Sequence, residues 1–246
     1  MSQLWVFLES LRESELATLS SDEARHVAAR RLRPGDSVVA FDGAGHSAVA
    51  RIETLGKRAV EVRIEGVESH AAPAARWVLA TAIPKGERLA TMLPMLVQLG
   101  VPIWQPLVLE DSAVRDLETR SPRIQRILIE SAKLARRPWL LEVREPCGLD
   151  DLLAKSTSAD GLCFGDREGR EIGIPPGAQL VVIGPEAGFS ADELRRLRSA
   201  GGRSCALGAH NMRIETAAVA AAVARFVAVG MTEGGVEGKG REDRDR

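Results

Sequence analysis

At 246 residues, 45% apolar and 27% charged, the chain has the length and composition of one large or two modest globular domains with real cores. A formal net charge of −1 excludes overall charge as a source of nucleic-acid affinity and leaves that task to local basic patches. Cys147, Cys163 and Cys205 lie far apart with no C-x-x-C or partnering His, which argues against structural zinc and a disulfide framework. Met1-Ser2-Gln3-Leu4 has no basic leader and no apolar run reaches membrane-spanning length, so the expectation is a cytoplasmic protein.

Residues 1–70 read mainly as strands. Val38-Val39-Ala40-Phe41 runs into the turn Asp42-Gly43-Ala44-Gly45, and Ala48, Ala50 and Ile52 then alternate with more polar neighbours. After Gly56-Lys57, Val60, Val62 and Ile64 alternate with Glu61, Arg63 and Glu65. Period-two patterning between glycine turns predicts a small antiparallel barrel. One helix interrupts it. Ser20 and Glu23 form a capping box, Ala24, Val27, Ala28 and Leu32 an apolar stripe, and Pro34-Gly35-Asp36 the stop. Its exposed side carries Arg25, His26, Arg30, Arg31 and Arg33, either a solvated face or a phosphate-contacting one.

Residues 71–75 read as a linker of small residues around Pro73. Over 76–230 apolar runs alternate with helical patterns, which argues for βα units and a mostly parallel sheet. Trp77 to Ile83 is a buried strand. Leu89, Met92, Leu93, Leu96, Val97 and Leu99 recur at helical spacing up to Gly100, with Pro94 expected to kink that helix or delay its start. Val101 to Leu109 is the next strand. Ser121-Pro122 opens a helix whose inward face is Ile124, Ile127, Leu128, Ser131 and Ala132, turning the Arg residues between Arg115 and Arg137 largely outward. This is again either a solvated face or a phosphate-contacting one, and the scarcity of carboxylates among those guanidiniums favours phosphate contact more strongly than on the first helix.

A short helix from Leu149 to Lys155, a short strand from Gly161 to Phe164 and a charged turn over 166–173 follow. Leu180-Val181-Val182-Ile183 reads as a strand buried on both faces. The loop Gly184-Pro185-Glu186-Ala187-Gly188-Phe189 comes next, and then a helix opened by a Ser190/Glu193 capping box. Gly201-Gly202 turns the chain into Cys205-Ala206-Leu207-Gly208, a second strand ending on glycine. Ala217 to Ala224 is nearly all alanine, a flat helix suited to tight packing within the chain or to a helix-to-helix dimer contact. From Met231 onward glycine and alternating charge predict a disordered tail. Ligands of open parallel sheets bind beyond the carboxyl ends of strands, so the loops at Gly184 and Gly208 point to one pocket. The absence of G-x-G-x-x-G, Walker A and G-x-S-x-G patterns disfavours NAD enzymes, P-loop NTPases and serine hydrolases.

Ile183-Gly184-Pro185-Glu186-Ala187-Gly188-Phe189-Ser190, followed by Leu207-Gly208 and Met212-Arg213-Ile214-Glu215-Thr216-Ala217, resembles the paired signature of the SPOUT methyltransferases. Within that superfamily it is most similar to the bacterial uridine N3-methyltransferases acting on 16S ribosomal RNA. His26 with Arg33-Pro34-Gly35-Asp36 and Phe41-Asp42-Gly43 matches that family's PUA-like N-terminal domain. Lys85-Gly86-Glu87-Arg88, Gln98-Leu99-Gly100-Val101 and Arg137-Pro138 fall where its catalytic domain carries related motifs.

The resemblance implies an α/β fold. A PUA-like β-barrel over 1–70 precedes a SPOUT domain over 76–230 with a parallel sheet and a trefoil knot, a feature no periodicity argument would propose. It implies S-adenosylmethionine as methyl donor without a metal, and 16S rRNA or the small ribosomal subunit as partner. It also implies a homodimer with its pocket near the interface, and no membrane. Ile183, Gly184, Pro185, Glu186, Gly188, Leu207, Gly208 and Met212 would hold the cofactor. Arg213 would stabilise the uridine anion, Glu215 would orient Arg213 or fix the loop, and Glu186 would accept from the cofactor or act as base. Arg25, Arg30, Arg31, Arg123 and Arg126 would grip RNA phosphates. This sequence has Ala187 where the family usually has a second glycine, His210-Asn211 for an Arg and aliphatic pair, Ile214 for Thr, Gln98 for an acidic residue and Leu134 for Gln. A non-catalytic RNA-binding assembly factor of the same fold, or a methyltransferase acting on tRNA, are the alternative readings.

Overall fold

Alternating buried and exposed side chains build the first of two sheets. The computed structural model describes residues 3–12, 15–56, 59–73, 77–155, 161–169 and 171–232. Strands β1 (Trp5–Phe7), β2 (Leu16–Thr18), β3 (Ser37–Phe41), β4 (His46–Leu55) and β5 (Val60–Ser69) lie in the order β1-β3-β4-β5-β2. The pairs from β3 to β2 are antiparallel, with Ala48, Ala50, Ile52, Val60, Val62 and Ile64 turned inward as the alternation predicts. β1 instead runs parallel to β3, and no described pairing joins β1 to β2. The sheet is therefore mixed, because chain order alone does not reveal on which edge the first strand docks.

Helix α1 (Ser21–Ala29) starts where the cap predicts, with Ser20 Oγ accepting from Glu23 N at 3.3 Å. Only half of the capping box forms, since the Glu23 carboxylate turns away from Ser20 toward Phe7 N and Lys133. The helix also stops before Pro34-Gly35, at Arg31, whose φ of 54° is left-handed.

The second sheet is wholly parallel. It holds β6 (Val78–Ala82), β7 (Ile103–Val108), β8 (Glu142–Val143), β9 (Cys147–Gly148), β10 (Leu162–Gly165), β11 (Glu171–Ile172), β12 (Leu180–Ile183) and β13 (Arg203–Ala206). The order is β11-β13-β10-β12-β6-β7-β8, with β9 also on β7. β8 and β9 share one edge of β7, leaving Gln105 and Pro106 in the gap between them. A proline is thereby accommodated inside the sheet at a place where that edge is unpaired. Helices α2 (Glu87–Gln98), α3 (Pro122–Ala135), α4 (Leu149–Ala154), α5 (Ala191–Ser199) and α6 (Ile214–Thr232) flank it. Pro94 lies within α2 and does not delay its start, which is at Glu87.

After β13 the chain returns across the sheet, and α6 packs on α2, β6 and β12. Ala218, Ala221 and Ala222 are buried in that contact, so the flat alanine face is used within the chain. α6 continues through Thr232, into the stretch expected to be tail. The remainder of that tail, Lys57 of the second turn and Ala74-Ala75 of the linker lie outside the described residues. No helix among the described residues is long and apolar enough to cross a membrane.

The two sheets share a core. Phe41, flanked by Trp5 and Phe7, joins the cluster containing Leu79, Met92 and Trp104. The turn after β3 seals this junction. Leu140 N donates to Gly43 O at 2.9 Å and Gly45 N to Pro138 O at 3.1 Å, and any side chain at Gly45 would overlap the Trp139 ring.

Candidate active site

Neighbouring strands β13, β10 and β12 run the same way, so the loops leaving their carboxyl ends meet. Between them lies a cavity of about 400 Å³, within the usual range for small-molecule sites. All eight residues expected to hold a cofactor line it: Ile183, Gly184, Pro185, Glu186, Gly188, Leu207, Gly208 and Met212. Asp166, Arg167 and Glu168, from the turn after β10, form a wall that the sequence showed only as a charged turn. Nothing in the local pattern of that turn says that β10 is inserted between β12 and β13.

The first loop is shaped by small residues and held at both ends. A Cβ at Gly184 would sit 3.2 Å from the Phe189 ring, which stacks edge-on to Phe164 at 6.0 Å. Gly188 N donates to Pro185 O at 2.8 Å, closing a tight turn, and Gly188 itself takes φ 86°. Ala187 is not among the described residues with positive φ, so its methyl is carried without strain. The left-handed conformation of this turn falls on Gly188 rather than on position 187. At the far end the predicted capping box is complete: Glu193 N donates to Ser190 Oγ at 3.2 Å and Ser190 N to Glu193 Oε2 at 2.9 Å. The buried Glu193 also takes Glu110 N on Oε1 at 2.8 Å, tying the loop to the end of β7.

Of the three expected catalytic residues, the structure brings only Glu186 onto the cavity wall. Its Oε1 accepts from Arg88 Nη1 at 2.7 Å, so the carboxylate is held by a guanidinium from the first turn of α2. Arg213 follows the wall residue Met212, is exposed and makes no ion pair among the described residues. Glu215, in the first turn of α6, does not pair with it. One Glu215 carboxylate oxygen is buried without a described partner. His210 and Asn211 also line the cavity.

Three of the five predicted phosphate-gripping residues, Arg25, Arg123 and Arg126, engage carboxylates in a stripe from α1 over α3 to α2, whose Arg88 reaches the cavity wall. On α1, Asp22 pairs with Arg25 and lies 4.0 Å from Arg126 of α3. Arg123 of α3 pairs with Glu87 of α2 at 2.7 Å, and the adjacent Arg88 reaches Glu186. Arg30 and Arg31, at the end of α1, make no ion pair among the described residues. Lys133 of α3 is turned away from solvent: its side chain is 8% exposed and points between α3 and α1.

Among the described residues no cysteine belongs to a group of side chains able to hold a metal ion. All three cysteines are free, and Cys163 and Cys205 are buried on adjacent strands. The hydrogen bond to Cys205 and burial together push the Cys163 thiol up, so it stays protonated.

Comparison with known proteins gives this cavity its context. The profile of an RNA methyltransferase domain matches residues 71–225, and that of an RNA methyltransferase PUA domain matches residues 19–65. The ribosomal RNA small subunit methyltransferase E of Aquifex aeolicus (strain VF5) is 27% identical over 220 residues, covering 87% of this chain and 95% of the relative. That of Rickettsia conorii is 28% identical over 224 residues, covering 86% and 89%. A crystal structure of a ribosomal RNA small subunit methyltransferase E from Neisseria gonorrhoeae bound to S-adenosyl methionine superposes with a TM-score of 0.79 at 26% identity, covering 91% of this chain and 96% of that one. With its cavity at the ends of parallel strands and both profiles matched in order, the chain belongs to the RNA methyltransferase family that carries an N-terminal PUA domain.

Proposed function

We propose that this protein transfers a methyl group from S-adenosylmethionine to N3 of a uridine in 16S ribosomal RNA, working as a homodimer in the cytoplasm. The observation that carries the reading is the convergence of the eight expected cofactor residues on one cavity. The cavity's size and its glycine-lined loops fit a bent nucleoside. When bound, the donor supplies a sulfonium-activated methyl group. The relatives' names specify small-subunit ribosomal RNA, and the related structure from Neisseria gonorrhoeae contains S-adenosyl methionine.

In this reading residues 1–70 form the RNA-binding domain and 76–230 the methyltransferase domain, whose return from β13 to α6 passes through a trefoil knot. The chain's own part in the chemistry is alignment and charge. N3 of uracil must lose a proton before it can attack, so a positive group beside the uracil oxygens favours the anion. Arg213, next to the cavity wall and without an ion-pair partner among the described residues, takes that role. Glu186, held by Arg88, orients rather than acts as a free base. Arg25, Arg30, Arg31, Arg123 and Arg126 hold phosphates along the stripe.

The dimer is supported by an apolar face on α6 beyond the buried alanines: Phe226 is 71% exposed, with Val223 and Val227 beside it. Such contiguous apolar surface marks an association site. Incubating the purified protein with labelled S-adenosylmethionine and small-subunit rRNA should give 3-methyluridine by mass spectrometry of the digested RNA. Absence of cofactor binding by calorimetry at high concentration overturns the reading.

A further inference from the structure

We propose that Lys133 is a positioning residue for RNA: its buried ammonium locks α1 against α3 and so sets the first-domain arginines at a fixed distance from the cavity. The inference rests on the functional reading above. Lys133 Nζ lies 2.9 and 2.8 Å from the two Glu23 oxygens, 2.8 Å from His26 Nδ1 and 3.1 Å from Glu130 Oε1. An ammonium has no acceptor, so Nδ1 of His26 accepts. Glu23 side-chain exposure is only 4%, and its Oε1 also accepts from Phe7 N at 3.2 Å. The acceptor atoms of Glu23, His26 and Glu130 lie within 4.8 Å of one another, a grouping that would suit a metal ion. The lysine of α3 takes that centre. The cluster therefore has a cation supplied by one domain and most of its acceptors supplied by the other.

A buried pair of this kind contributes less to net stability than to uniqueness of geometry, because alternatives strand a desolvated charge. Docking itself is secured elsewhere, by the apolar junction of Trp5, Phe7 and Phe41 and by the Gly43–Gly45 turn on Trp139. What the cluster adds is the setting of α1. Asp22, one turn before His26, meets Arg126, two turns before Lys133, so the RNA stripe crosses between helices along the same seam. Two grips on one RNA reinforce each other only when their spacing is held; a loosened second grip must be ordered anew at each encounter.

The test uses the full chain with Glu23→Gln/Lys133→Met, which removes both buried charges together. It also uses Lys133→Arg, which keeps the cation, and His26→Ala, which loosens the cluster without stranding a charge. The double variant should raise KM for small-subunit rRNA about tenfold, leaving kcat at saturating RNA and the Kd for S-adenosylmethionine unchanged. Lys133→Arg should restore most of the loss, and His26→Ala should raise KM in the same direction by a smaller factor. If the double variant does not fold, His26→Ala decides by itself. An unchanged RNA KM, or a fall in kcat or cofactor affinity at unchanged KM, overturns the proposal. If the wild type binds RNA and transfers no methyl, the functional reading fails, and the lock is judged by the same weakening in RNA Kd from filter binding at fixed salt. A wild-type chain with neither activity nor RNA affinity overturns both.

Discussion

Replacing Gly188 with alanine isolates the backbone geometry of the loop proposed to hold the cofactor. Gly188 has φ 86°, and nothing lies within 4 Å of a Cβ built there, so the added methyl meets no clash. What it adds is conformational strain, about 1–2 kcal/mol for an L-residue in the left-handed region. That strain must appear in one of two places. If the loop holds its shape, fixed by the Ser190/Glu193 box and the Arg88–Glu186 pair, the protein loses that much unfolding free energy. If the loop relaxes, the turn from Pro185 to Gly188 opens and cofactor affinity falls by a factor of roughly 5–30. Urea unfolding and calorimetric titration with S-adenosylmethionine, on the same variant, measure the two shares. Gly35→Ala is the control, with φ 91° and equally open space but no place on the cavity. It should lose stability by the same amount and leave cofactor affinity untouched. A Gly188→Ala protein with wild-type stability and wild-type affinity refutes the loop assignment.

Arg30→Gln/Arg31→Gln should flatten the salt dependence of RNA binding by about 0.7 in log–log slope for each phosphate no longer neutralised, measured by filter binding from low to high salt; an unchanged slope removes these residues from the RNA surface. Phe226→Glu places a charge in the apolar face of α6 and should convert a dimer to a monomer in sedimentation equilibrium, whereas a surviving dimer places the interface elsewhere. At Asp42 burial raises the carboxyl's pKa, but hydrogen bonds from Ala44 N, His46 N and the His46 ring outweigh it and hold it below the usual carboxylate value. The folded state therefore binds this proton less readily than the unfolded one, so its contribution is present above about pH 4 and is lost as pH falls through the lower folded value. Asp42→Asn should accordingly flatten the acid limb of the stability curve, and an acid limb of unchanged steepness rules Asp42 out as its source.

Strand and helix content was legible wherever one face of an element is dry. Val60, Val62 and Ile64 gave β5 by alternation, Ser121-Pro122 gave the start of α3, and Ser190 with Glu193 gave a capping box that forms in full. Local signals misled where a side chain had a distant partner. Glu23 resembles the return half of a capping box, yet a lysine 110 positions away takes its carboxylate. Pro94 and Arg31 likewise mark where packing overrides the propensity of a short window, one by keeping a helix intact across a proline and the other by stopping a helix early.

The glycine loops after β12 and β13 were written in the sequence because backbone that must turn sharply or approach a ligand closely requires glycine, whatever surrounds it. Their meeting in one cavity, with the turn after β10 as third wall, depends on strand order, which no local pattern encodes. The same holds for the basic residues: their number could be read, but only the approach of α1 to α3 sorts them into an exposed basic stripe and one buried lysine. Local chemistry is a property of neighbours in the chain, whereas a site made at the ends of three strands exists only once burial has brought distant segments together.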